Sequence, residues 1–461
     1  MSGKSITSSI PITQPIRIAF DRKSASYKLA VMLAYPGLFI LMAGDSIRYS
    51  MGWLGWGIVI AIGIVATVVA LAIRRPVKTF TRVPEPLILL LILMVLSLIW
   101  SQYRPMTLLA VVLQIGTTLF GLFLASHFGW RQLLHILANT VRFILASSLL
   151  IELYAAITGP IAPFFPNYEG DTPPAASYLW VQGNLFELER IQGIMGNANL
   201  LAFTAVLGIL LFLIELIVTN NQRFLPIASI VLAAGLAILA NSAGMTMAIV
   251  FIAFAGLIAI LAEGRPKPTR HRIYRWAIGF LALAVLVGVI FRAQLFDLLD
   301  RSPDASGRFY IWEQVFGLIL EKPLEGWGWI SYWIPGVEPY EGLIEINGVP
   351  MYQAHNAFLD IWLQLGIAGL ALLVWLMISV FTRLWTVGVR HTNPLYLFPL
   401  FAFLAIAAQS LTESRLLIEI GWVLLVLLAT KANEPFVELE PLGRTPKRLK
   451  LLRIPLRFMG R

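Results

Sequence analysis

Long apolar runs, broken by short polar or Pro/Gly-rich stretches, dominate the chain. A helix crossing a hydrocarbon core of roughly 30 Å needs about 20 mostly apolar residues. Twelve such spans can be drawn, at about 29–47, 52–73, 86–100, 106–126, 136–158, 197–218, 224–240, 243–262, 276–291, 357–380, 394–411 and 416–430, the third and last being short. The pattern predicts an all-α, polytopic transmembrane helix bundle. The fifth span carries Arg142 and Glu152 near its two ends, where long side chains can snorkel. Two connections, 159–196 and 292–356, are long enough to build structure of their own. In the second, Phe309, Trp312, Phe316 and Ile319 recur at helical spacing. Ser306 or Asp304 can cap that helix, and Pro323 with Gly326 and Gly328 can end it. An amphipathic helix over about 307–320 would lie in the outer interface. Trp312, Trp327, Trp329 and Trp333 would anchor there or stack on sugar rings.

Composition agrees. Of 461 residues, 58% are hydrophobic and 13% charged, with a mean hydropathy of +0.78; a soluble chain is nearer a quarter charged. Cysteine is absent, which excludes disulfides and thiolate metal sites. The polar start as far as Lys28 does not read as a cleavable signal. The net charge of +10 does not call for nucleic acid, because its placement has another reading. Basic residues cluster in the N-terminal tail, in 74–82, in 265–275, at Arg383 and Arg390, and in 444–461. The alternate connections are neutral or acidic, and 292–356 sets nine Asp/Glu against four Lys/Arg. Lys/Arg excess marks cytoplasmic loops. The organisation is then a cytoplasmic tail 1–28, one transmembrane domain 29–430 with extracytoplasmic loops 159–196 and 292–356, and a basic cytoplasmic tail 431–461. That last tail, with leucines between its cations, suits contact with anionic lipid or no specific partner.

This topology sorts the candidate chemistry. Of five histidines only His355 falls outside, in "YQAHNAFLD", and of nine lysines only Lys322. A base for extracytoplasmic chemistry near neutral pH is therefore His355. Arg190 and Arg308 lie in the two external loops. Arginine's planar fork suits phosphate oxygens, and helix N-termini favour anions. Together they suit a glycan donor carried on a polyprenyl diphosphate, with the arginines on the leaving group and His355 deprotonating an acceptor hydroxyl. Asn356, Asn199 and Glu413 are supporting candidates; Asn197 or Asn199 can cap the sixth span. Asp360, one turn from Asn356, is expected to hydrogen-bond to it. The plainer readings are an incidental histidine and loop arginines paired with Glu187, Glu189 or Asp304.

"AHNAFLDIWLQLGIAGL" resembles the histidine-asparagine helix start of the O-antigen ligase and polymerase family. "SGRFYIWEQVFGLILEKPLEGWGW" is similar to its arginine-bearing helix and proline-glycine turn, "RIQGIMGNANLLAF" to its arginine and paired-asparagine entry, and "LTESRLL" to its late glutamate turn. The resemblance covers roughly 190–415. It implies a metal-independent glycosyltransferase of the bacterial plasma membrane that uses undecaprenyl diphosphate-linked glycan, a lipid or glycan hydroxyl acceptor and no cofactor. On that resemblance His355 is the base, and Arg190 and Arg308 hold the diphosphate. Many members carry an arginine after a serine at the eighth span, where this chain has "NSAGMTM". The first 185 residues carry no matching motif.

Two other classes fit parts of the pattern. A small-anion transporter should show mid-membrane charge or repeated halves; the mid-span positions read as almost free of charge, without a repeat. A peptidoglycan-type polymerase would lean on an external aspartate such as Asp297 or Asp304.

Overall fold

The computed structural model describes residues 25–165, 178–219, 223–291, 294, 307–346, 349–390 and 393–434. Asp297, Asp304 and Ser306, with the N-terminal tail to residue 24 and the C-terminal tail from 435, lie outside the described residues.

Each predicted span is a helix. In chain order they are α1 (Ala25–Met42), α2 (Gly44–Arg74), the short α3 (Val77–Phe80), α4 (Glu85–Leu96), α5 (Arg104–His127), α6 (Trp130–Thr158), α7 (Ala198–Val218), α8 (Phe224–Ala240), α9 (Ala243–Ala262), α10 (Lys267–Ile290), α11 (Arg308–Glu321), α12 (Ala357–Arg390), α13 (Leu397–Gln409) and α14 (Glu419–Lys431). Among the described residues, eight are long and apolar enough to cross a membrane, and α4, α8 and α13 are shorter apolar helices. The only paired strands described are the two-residue β1 (Glu345–Ile346) and β2 (Val349–Pro350).

The short α14 is buried along its length and acts as the post of the bundle. Gln114 of α5 donates to the Leu417 carbonyl at 3.1 Å, and Trp422 donates to Thr118 at 2.8 Å. At its far end Lys431 lies over the Trp130 ring and Asn433 donates to the Arg82 carbonyl at 2.7 Å. At the periphery, α10 buries none of its described residues against the protein.

Two helices break at glycine. In α2, Gly52 has φ +70°, and a side chain there would press on the Phe165 ring at 3.2 Å. In α12, Gly366 has φ +64°, and a Cβ would run into the Leu324 carbonyl. There the turn after α11 docks as if it were a strand. Trp327 N–H donates to Leu363 O at 3.0 Å, Gly328 N–H to Gln364 O at 2.9 Å, and Ile367 N–H to Pro323 O at 3.0 Å.

Helix α11 turns Ile311, Val315 and Ile319 to the protein and leaves Phe309 and Phe316 exposed. Two expectations are corrected. Trp327, Trp329 and Trp333 are neither interface anchors nor sugar platforms. They are 8%, 0% and 2% exposed, and Trp327 and Trp333 share a loop core with Tyr340 and Ile344. The long loop has enough apolar residues to fold on itself, which gains more than holding them at an interface. Arg142 and Glu152 do not snorkel. Arg142 pairs with Glu215 of α7 and donates to Ser229 at 2.8 Å, so a charged pair joins α6 and α7. A charge inside a bilayer is tolerated when paired.

Candidate functional site

Four separated segments converge beside the upper end of α14. The first is the loop 190–197. Arg190 donates to the Ala240 carbonyl at the end of α8, at 3.3 Å, and to Asn199 Oδ1 at 2.9 Å. The loop then makes a tight 3-10 turn, Gly193–Met195. Gly193 (φ +62°) has Ser148 where a side chain would be, and Gly196 (φ +58°) has the Tyr49 ring. Glu152, 1% exposed, accepts the N–H groups of Gln192 and Gly193 at 2.8 and 2.7 Å. Asn197 caps α7, its side chain accepting from the backbone of Asn199 and Leu200. That leaves the Asn199 side chain for the site.

The second segment is the start of α11, where Gly307 in the left-handed conformation (φ +82°) swings Arg308 inward. The third is 353–356. Asn356 accepts from Phe358 and Leu359 N–H at 2.9 and 3.2 Å, capping α12, and donates to the Leu411 carbonyl at 3.4 Å. His355 just before it has φ +49°. A non-glycine residue there costs roughly 1–3 kcal/mol and persists where its surroundings hold it. The fourth is the turn after α13 carrying Glu413.

Glu413, 4% exposed, is the centre. Its Oε1 accepts from Asn199 Nδ2 at 2.9 Å and Arg308 Nη2 at 3.4 Å. Its Oε2 accepts from His355 Nδ1 at 3.0 Å and Gln353 Nε2 at 3.0 Å. Burial raises the carboxyl's pKa, but His355, Arg308 and Arg415 outweigh it and hold it down to about 2. A carboxylate only accepts, so His355 Nδ1 carries a hydrogen, and in the neutral ring the lone pair then lies on Nε2. Arg190 is exposed, and Arg308 and His355 are partly so, around this buried acid.

Asp360 supports the arrangement rather than pairing with Asn356. Its oxygens accept from Trp333 Nε1 at 2.9 Å, from Ala354 N–H at 3.0 Å and from the Ser414 hydroxyl. Ala354 precedes His355 and Ser414 follows Glu413, so one carboxylate ties the two segments together. Gln353 closes the same loop, its Oε1 accepting from Ser414 N–H at 3.0 Å. Ser242 donates to Asn199 Oδ1 at 2.9 Å. A second ionic cluster, Asp45 and Arg48 of α2 with Arg415 and Glu419, ties the kinked start of α2 to the Glu413 turn.

The structure thus gathers Arg190, Arg308, His355, Asn199 and Glu413 into one hydrogen-bonded group, and gives Asn356 to the helix start. Glu152, Ser242, Gln353 and the clamping role of Asp360 were missed. The only sequence signal for Gln353 was a third polar side chain in "YQAHN", ahead of an apolar helix. Among the described residues no three His, Asp or Glu side chains gather as metal ligands.

Residues 228–374 match the O-antigen ligase family. Arg308 and His355 fall inside that range, whereas Arg190, Asn199 and Glu413 fall outside it. The chain is 29% identical over 113 residues to the exopolysaccharide production protein ExoQ of Rhizobium meliloti, covering 22% of this chain and 26% of that protein. It is 27% identical over 124 residues to a general O-oligosaccharyltransferase of Acinetobacter baylyi, covering 23% and 21%. The aligned part spans about a quarter of the length of these relatives or less.

Proposed function

We propose, from the match of residues 228–374 to the O-antigen ligase family, that the protein is a membrane-embedded glycosyltransferase acting on the extracytoplasmic face. It moves a glycan from a polyprenyl diphosphate to a hydroxyl of a lipid or glycan acceptor, with both chain termini cytoplasmic. The acceptor O–H gives its proton to Nε2 of His355 as its oxygen attacks the anomeric carbon. The bond from that carbon to the phosphate oxygen breaks, and the electron pair leaves on the diphosphate. The single displacement inverts the sugar. Arg308 and Arg190 receive the charge gained by the leaving group, the kind of preorganised stabilisation that contributes most to such steps. Two guanidiniums supply the positive charge that a divalent cation would otherwise bring.

The observation that carries this reading is the Glu413–His355 contact. A buried, ionised carboxylate on Nδ1 fixes the tautomer and ring orientation a general base needs, and it stabilises the imidazolium formed in the transfer. The test is transfer by purified protein in liposomes from a lipid-linked glycan. Product and free polyprenyl diphosphate should form at an unchanged rate in EDTA. Activity lost in EDTA and restored by magnesium would overturn the metal-free reading. Deletion separates the two acceptor classes: long unligated chains on the carrier mean ligase, single repeat units mean polymerase.

A further inference from the structure

Glu413 lies between the two halves of the site with one oxygen on each. Oε1 faces Arg308 and, through Asn199, Arg190; Oε2 faces His355. The carboxylate is buried, so its charge acts through protein rather than water. We infer that Glu413 is a coupling residue, making diphosphate binding at the arginines and proton binding at His355 reinforce each other. This rests on the proposed function, which assigns the arginines to the diphosphate.

Without substrate, Arg308 and His355 draw on the charge of Glu413, with Arg415, itself paired with Glu419 and Asp45, and the half-buried Tyr332 nearby. A diphosphate brings further negative charge to Arg308 and Arg190, and the guanidiniums turn to it. The Arg308–Glu413 contact is the long one at 3.4 Å, against 3.0 Å for His355, so it is the one an anion displaces most readily. Glu413 then serves His355, which holds a proton more tightly. Linkage is reciprocal: a proton on His355 draws Glu413 and frees the arginines for the anion. Gln353 and Asn199 hold the carboxylate from either side, so what shifts is the charge it faces more than its position. During transfer the imidazolium builds against Glu413 while the leaving group builds against the arginines. Of the charged or titratable groups facing Glu413 (His355, Arg308, Arg415 and Tyr332), imidazole is the type that titrates near neutral pH.

The test is calorimetry of the full-length protein in detergent with farnesyl diphosphate, in buffers of different ionisation enthalpy. Wild type should take up a fraction of a proton on binding, beyond the diphosphate's own. Its Kd should tighten by about 5-fold or more between pH 8 and pH 6. His355→Ala should bind but lose the extra proton and the extra tightening, and Glu413→Gln should behave like it. A merely structural role for Glu413 would leave proton uptake untouched. Equal uptake in wild type and His355→Ala, or full uptake in Glu413→Gln, overturns the coupling and leaves the diphosphate reading standing. Failure of wild type to bind overturns both. If Glu413→Gln does not fold, Glu413→Asp, whose shorter reach weakens the contacts with His355 and Arg308, should lower the uptake, and full uptake there overturns the coupling.

Discussion

His355 combines two demands, a chemical one at Nε2 and a conformational one at φ +49°. Asparagine tolerates that backbone better than most residues, so His355→Asn is the cleaner removal of the base. It should lose about 10²–10⁴-fold in transfer rate while the protein inserts and elutes as wild type does; near-full activity would remove the mechanism. Arg308→Lys keeps the charge and loses the fork. It should fall by roughly 10–100-fold, one charge-assisted hydrogen bond at about 1.5–3 kcal/mol. Glu413 has a signature in stability. Its carboxyl titrates near 2 in the fold against an ordinary 4.5, so the unfolded chain binds the proton first as pH falls. Its stabilisation is complete above about pH 4.5 and disappears towards pH 2. The melting-temperature deficit of Glu413→Gln in detergent should therefore shrink across that window; a deficit independent of pH would contradict it. At this scale residue type and side of the membrane singled out His355 and both arginines. They could not make Glu413 the centre, because its contact with His355 crosses 58 positions and leaves no spacing to read.

Among the elements, the interlock of the 323–328 turn with the break in α12 governs where His355 sits, eleven residues before Gly366. Gly366→Ala would put a Cβ into the Leu324 carbonyl on a backbone with φ +64°. Overpacking and strain of about 1–3 kcal/mol each should lower the yield of monodisperse protein sharply, as read by fluorescence size exclusion. Gly235→Ala in α8 meets nothing within 4 Å and should match or exceed wild type, alanine being the better helix former by about 1 kcal/mol. The apolar runs located the helices but not all of their ends: α10 starts nine residues before its predicted span and α12 ends ten residues after, because a helix can continue past its apolar stretch. Gly326 and Gly328 read only as a helix stop, since which distant helix a turn docks against is a tertiary fact.

For the whole molecule, alternation of spans and the distribution of Lys/Arg predict opposite sides for the Glu338 loop and the 265–275 loop. Reporter fusions after Glu338 and Lys267 should score extracytoplasmic and cytoplasmic; the same side for both would dissolve the site argument. Among the described residues eight helices are long enough to cross a membrane and three are shorter; these apolar helices are linear features and were legible. The gathering of loop 190–197, the starts of α11 and α12, and the Glu413 turn was not, nor was the service that Tyr49, Ser148 and Glu152 give from a region without motifs. That convergence bears on modular exchange. The long loop looks like a cassette that could be traded between relatives to alter what they build. Yet its histidine and arginine are keyed to a carboxylate and an amide lying on either side of it in the chain. A chimera that imports residues 307–356 alone inherits the teeth of the key without the lock, and only grafts that carry all four segments together should turn over.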